Sequence, residues 1–248
     1  MRVYQTVLEM IRQKQPGVLI TIVNATPAWN KFVGQHLVWF PTGNMVWDSL
    51  EPVLQEKLHE LCQQVLRKRE FQRTRLEWGE EWLDLMMEAI LPASRLVILG
   101  CGHVGQAVAK VAAMIGWELA VVDDRPTFAN PGLFPAGVKV ICDDFSRAID
   151  AVQPGANDYF VIVTRGHQYD RLVLESLAGR KMAYVGLIGS KRRVRGLFDE
   201  LMKEGVSKEW LDSLYSPIGL SIGAETPEEI AVSIMAEIIQ VLRKGAAK

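Results

Sequence analysis

Gly100, Gly102 and Gly105 fall in the spacing G-x-G-x-x-G, after the apolar run Leu96–Leu99 and before Val104, Val108, Val111 and Ala112, which recur at helical intervals. A strand, a glycine turn and a helix in that order suit an anion. The first glycine turns the chain sharply out of the strand, the second lets a phosphate approach the main chain, and the third lets the helix pack close to the sheet. The helix start adds unbonded N–H groups and the positive end of its dipole. His103, inside the turn, either hydrogen-bonds a phosphate, meets a substrate, or simply faces solvent. A second apolar run, Leu119–Val122, ends in Asp123, Asp124 and Arg125. That is roughly twenty residues further on, where an acid meets a ribose hydroxyl in dinucleotide sites. Asp123 therefore predicts NAD over NADP, should a nicotinamide bind: it accepts from a 2′-hydroxyl and repels a 2′-phosphate, with Arg125 working against the preference.

Thr164-Arg-Gly-His-Gln-Tyr-Asp170 follows another apolar run. His167 and Asp170, three apart, could share a proton or a metal, but one histidine and one aspartate are too few ligands for a metal site. The local alternative is that Asp170 caps the next helix and His167 fills a loop. As ligand contacts, Thr164, Arg165, His167 and Asp170 stand in the right place, beyond the end of a strand. Gly189 and Ser190 end a further strand and precede Lys191, Arg192, Arg193 and Arg195. That cationic run is either a solvated helix face or an anion clamp. Cys101 reads as a small filler, since a reactive thiol needs a depressed pKa. Neither a nucleophile–base pair nor a cluster with metal-ligand spacing is evident, so no metal is expected, and the set suits binding better than stand-alone turnover.

These residues need elements to hold them. Val3, Tyr4, Val7, Leu8 and Ile11 share a face, which predicts an amphipathic helix ended by Pro16-Gly17. Val18–Val23 is a β-branched strand. Gln35–Phe40 and Asn44–Trp47 flank Pro41-Thr-Gly43 as a hairpin. Glu51–Glu70 is helical with Leu54, Leu58, Leu61 and Val65 buried. Phe71–Trp78 and Glu81–Leu91 read as strands, although Trp82–Glu88 also suits a helix. Trp39, Trp47, Trp78 and Trp82 are expected in the core of this part. Pro92-Ala-Ser94 marks a boundary, so residues 1–93 form a small α/β domain and 94–248 a second one. From Arg95 onward strands and helices alternate, with strands at Lys139–Cys142, Asp158–Thr164 and Ala183–Gly189. Helices are predicted at Phe145–Val152, Tyr169–Arg180, Lys191–Lys203 and Lys208–Tyr215, with Leu220–Ile222 as a last strand. Thr226-Pro-Glu-Glu229 is a capping box that opens a helix to about Arg243. The fold class is α/β: a Rossmann-like, doubly wound parallel sheet after a smaller N-terminal α/β domain.

With 49% apolar and 23% charged residues, the chain can build a proper core, and its net charge of -1 argues against a nucleic-acid partner. Three cysteines without a close pair argue against a disulfide scaffold or structural zinc, and fit a reducing cytoplasm. Arg2, Glu9, Arg12 and Lys14 interrupt any signal-peptide core, and no apolar run is long enough to span a bilayer.

Gly100-Cys-Gly-His-Val-Gly105, Val122-Asp-Asp-Arg-Pro126, Thr164-Arg-Gly-His167 with Asp170, Gly186-Leu-Ile-Gly-Ser190, and Pro217 to Ile230 occur in this order. From Arg95 to about Gln240 the chain resembles the XdhC/CoxI family of xanthine dehydrogenase accessory factors. The resemblance implies a cytoplasmic chaperone that binds the molybdenum cofactor (molybdopterin), supports its sulfuration and delivers it to a molybdenum hydroxylase. It also implies a cysteine desulfurase partner and a homodimer. The residues themselves leave two rivals open: an NAD(P)-dependent oxidoreductase using His167 or His103 as acid, and a non-catalytic nucleotide sensor. The N-terminal part departs from the family. Its Gly-Ser-x-Pro-Arg stretch is missing near Asn24–Asn30. Asp48-Ser-Leu-Glu51 replaces Gly-Gly-Cys-Glu, and Gly79-Glu-Glu-Trp82 stands where Cys-Gly-Gly is expected. Ser221 takes the place of an aspartate.

Overall fold

The computed structural model describes residues 2–13, 15–46, 52–91 and 94–244. Trp47, the stretch Asp48–Glu51, the side chain of Leu54, and Pro92 and Ala93 of the expected boundary lie outside the described residues. The chain divides into two compact units, Met1–Ala93 and Ser94–Lys248.

In the first unit α1 (Arg2–Arg12) precedes β1 (Gly17–Ala25), a 3-10 turn at Pro27–Phe32, β2 (His36–Trp39), β3 (Met45–Val46), α2 (Pro52–Lys68), β4 (Gln72–Trp78) and β5 (Glu81–Ile90). The five strands form an antiparallel sheet in the order β3-β2-β1-β5-β4. Trp82–Glu88 is strand, not helix. Leu83, Leu85 and Met87 alternate onto the face that packs with Val18, Ile20 and Ile22 of β1, and Leu58, Cys62 and Val65 of α2 belong to the same core. A period of two buries that face only in an extended chain. Trp39 is fully buried there, and Trp78 packs against the cluster from its rim. Trp82 instead lies under the Arg75 guanidinium, 4.0 Å from its ring centre.

The second unit runs β6 (Arg95–Leu99), α3 (His103–Met114), β7 (Glu118–Asp123), a 3-10 turn at Pro131–Leu133, β8 (Lys139–Cys142), α4 (Phe145–Val152), β9 (Asp158–Ile162), α5 (His167–Leu177), β10 (Tyr184–Leu187), α6 (Lys191–Lys203), α7 (Lys208–Asp212) and α8 (Pro227–Lys244). All five strands are parallel, in the order β10-β9-β6-β7-β8. Unlike the edge strand β8, whose ends are exposed, the other strands are covered on both faces, which explains their apolar runs. Val97 and Leu99 join α4, α5 and α6 in one core, while Leu96 and Ile98 join α3 and α8 in the other. From β6 the chain winds outward through β7 to β8, then returns to β9 on the other side. The direction reverses between β6 and β9, and ligands of open α/β sheets bind beyond the strand ends at that point.

The capping box forms as expected: Thr226 Oγ1 accepts from Glu229 N at 3.2 Å, and Glu229 Oε2 accepts from Thr226 N at 3.1 Å. The expected strand Leu220–Ile222 is absent. Gly219 and Gly223 hold positive φ of 95° and 74° on either side of it. The outer edge of β10 is instead met by Tyr215, whose N–H donates to Val185 O and whose carbonyl accepts from Leu187 N. Among the described residues, no helix is long and apolar enough to cross a membrane.

Candidate functional site

The glycine turn is built by contacts that leave no room for side chains at two of its three glycines. Gly100 has φ +112°, and a Cβ on it would lie 2.4 Å from Val163 O. A Cβ on Gly105 would lie 1.9 Å from Gly100 O. Gly102 differs: a Cβ there meets nothing within 4 Å. It is the N-cap of α3 and supplies no side-chain cap, so the first N–H groups of the helix lack the usual side-chain acceptor. His103 is exposed beside it.

Asp123 fastens this turn from the next strand. Its Oδ2 accepts from Cys101 N at 2.8 Å, and both oxygens accept from the Arg125 guanidinium, at 2.8 and 3.0 Å. The Arg125 N–H adds a contact at 3.1 Å. Burial opposes the charge, but the guanidinium and the two N–H groups outweigh it and hold the Asp123 pKa below the ordinary carboxylate range. The carboxylate expected to take a ribose hydroxyl is therefore committed inside the chain, which removes the basis for the NAD preference. The more open acid at this strand end is Asp124, and Arg165 grips it with two bonds of 3.0 and 2.9 Å. Arg165 follows β9, Asp124 follows β7, and β6 lies between them, so this pair crosses the space beyond the glycine turn. The Arg165 guanidinium also lies 4.2 Å from the centre of the Tyr169 ring.

The Asp123 contacts carry a pH signature. A depressed carboxylate pKa stabilises the fold above the unfolded value, near 3.8, and that contribution is lost as pH falls through the folded value. Asp123→Asn is expected to cost about 2 kcal/mol at pH 7. The gap to wild type should close in denaturant melts as pH drops below 3.8. A constant gap down to the acid limit would remove the ionised carboxylate from this role.

A second group forms one strand further out. Asp170 lies in the first turn of α5 and is 0% exposed. It does not cap its own helix. Its Oδ1 accepts from Thr164 Oγ1 at 2.6 Å, and its Oδ2 is bonded to the Arg193 guanidinium of α6. Burial pushes the Asp170 pKa up, against the pull of the Thr164 hydroxyl and Arg193. His167 begins α5 rather than filling a loop, because Gly166 serves as N-cap. Its Nε2 faces Glu200 Oε2 at 3.3 Å, so it does not share a proton with Asp170. Ser190 caps α6 by accepting from Arg193 N, and Gly189 lies under the Val194 side chain. All four residues of the cationic run are exposed, and Arg193 is also tied to Asp170. Arg193 had a sequence signal, its place in that run, but its partner lies 23 residues away and only the fold joins them.

Burial, reinforced by the nearby Asp123 carboxylate, pushes Cys101 up to about 12, and burial does the same for Cys62. Both are neutral thiols, and the filler reading of Cys101 fits its full burial. Among the described residues, no group of three or more metal-ligating side chains comes together.

Comparison with known proteins places this geometry. The family described as the XdhC Rossmann domain matches residues 96–238. The chain is 40% identical over 150 residues to the uncharacterized protein YqeB of Escherichia coli K12, covering 59% of this chain and 27% of that protein. It is 33% identical over 167 residues to a Bacillus subtilis 168 protein described as a probable xanthine dehydrogenase subunit, covering 67% and 48%. It is 24% identical over 170 residues to the molybdenum cofactor insertion chaperone PaoD of E. coli K12, covering 68% and 46%. The matches thus span between about a quarter and a half of these relatives' lengths. A crystal structure described as a xanthine dehydrogenase from Bacillus halodurans shares the fold, with TM-score 0.56 and 20% identity over 97% of this chain and 95% of that one. Strand order, glycine turn and the matched span together show that the chain belongs to the XdhC family.

Proposed function

We propose that this protein binds the molybdenum cofactor at the β6–β9 crevice and delivers it to a molybdenum hydroxylase, as a cytoplasmic homodimer without vigorous turnover of its own. The observation that carries the reading is Gly102. Its missing Cβ answers to no neighbour within the chain, and it opens the uncapped start of α3 to an approaching anion. The cofactor's pterin carries a phosphate that suits such a cradle. The relationship to PaoD, named as a molybdenum cofactor insertion chaperone, supports the choice of cargo. In this reading Gly102 and the first N–H groups of α3 hold the phosphate, and His103 lies beside it. Arg165 and Asp124 cross the mouth of the site, and Asp123 keeps the turn in shape through Cys101 N. Thr164, Asp170, Gly189 and Ser190 flank it on the β9 and β10 side. Cys101 carries no sulfur to the cargo, because its thiol is buried and neutral. Sulfuration then draws on a separate donor, such as a cysteine desulfurase.

The test is transfer. Purified full-length protein is loaded with isolated molybdenum cofactor, read by native mass spectrometry, and mixed with an apo molybdenum hydroxylase. Retention of cofactor followed by recovery of hydroxylase activity is the expected outcome. Failure to retain cofactor, with rapid NAD(P)H oxidation on a small carbonyl substrate, would replace this reading with the oxidoreductase.

A further inference from the structure

A shallow depression of about 380 Å³, open to solvent, lies between α5 and α6, with Leu197 at its floor and His167, Ser190, Arg192, Arg193, Gly196 and Glu200 around it. Its polar wall is mostly donor. Arg193 has N–H groups beyond the one bonded to Asp170, and Arg192 is exposed. Ser190 Oγ accepts from Arg193 N and keeps its own proton to donate. The acceptor, Glu200, faces His167. A fully buried carboxylate is costly unless it is paired and hydrogen-bonded, as Asp170 is by Thr164 and Arg193. Asp170 holds the guanidinium of Arg193, which lines this depression.

Gly196 is an independent observation. It sits in the interior of α6, where glycine disfavours the helix relative to alanine. A Cβ built on it meets nothing within 4 Å. Gly196 is exposed, so packing within the chain does not call for glycine here, and the residue lies on the wall of the depression.

We infer that this depression binds the phosphate group of a small phosphate ester, with Arg193 and Arg192 as cationic donors and Asp170 as the residue that positions Arg193. Planar guanidinium groups match phosphate oxygens two at a time. The subsite lies at the β10 side of the sheet, with β9 between it and the strand that carries the glycine turn. It does not depend on the cargo proposed above, and the cofactor-transfer assay tests that cargo separately.

The test uses the full chain and inorganic phosphate, followed in amide nitrogen–proton spectra against chloride at matched ionic strength. Saturable shifts are expected in the amides of Ser190 to Gly196. Gly196→Leu, a better helix former that fills the space, should keep or raise Tm while weakening phosphate at least tenfold. Arg192→Gln and Arg193→Met should each weaken it about tenfold. Asp170→Asn should weaken it in the wild-type background and change little once Arg193 is methionine, whereas a merely structural role would act in both. Shifts confined to Gly102 to Val104, or a Gly196→Leu protein that binds phosphate like wild type, would overturn the subsite.

Discussion

Gly105→Ala should cost several kcal/mol and lower the melting temperature of the second unit by roughly ten degrees or more. The added methyl would lie 1.9 Å from Gly100 O, a backbone atom with nowhere to move. Gly100 is itself pinned, since its N–H donates to Val122 O at 2.8 Å and its Cα backs onto Val163 O. Relief therefore requires the strand end or the helix to shift, and both belong to a close-packed core. Gly116→Ala is the control. Its φ is +83° but its space is open, so backbone strain alone should cost about 1 kcal/mol. Thermal melts of the full chain decide: equal losses at Gly105 and Gly116 would show that close packing of α3 on the turn is not what the glycine provides.

Gly102→Val should abolish retention of isolated molybdenum cofactor, with at least a hundredfold loss of affinity, while Tm stays within about a degree of wild type. The two effects separate because the position is open on the protein side and, in the proposed function, filled on the ligand side. A residue kept as glycine for folding would show the opposite pattern. Calorimetric titration with the cofactor, alongside the melt, measures both. Unchanged affinity would move the phosphate away from the start of α3.

The glycine turn, the alternation of strands and helices, and the bounds of α4 and α6 were legible because each depends on neighbours in sequence. Periodicity, a capping box and a G-x-G-x-x-G turn are local rules. What escaped are pairings that only the folded sheet creates. Asp123 stood where a ribose acceptor belongs, with Arg125 two residues on, but nothing in the sequence announced that Cys101 N takes one of its oxygens. Asp170 carried the look of a helix cap, but it turns inward to Thr164 and Arg193. Leu220–Ile222 has strand-like residues, yet two flanking glycines with positive φ and a β10 edge already met by Tyr215 leave it nothing to pair with.

The bond from Cys101 N to Asp123 has a kinetic consequence. In the proposed function, a turn fastened in this way to the neighbouring strand spends little ordering entropy when the cofactor's phosphate arrives. Dwell time is then governed by the contacts the anion itself makes, rather than by the opening of a lid. In that proposed function, release would come on encounter, when a recipient competes for those same contacts.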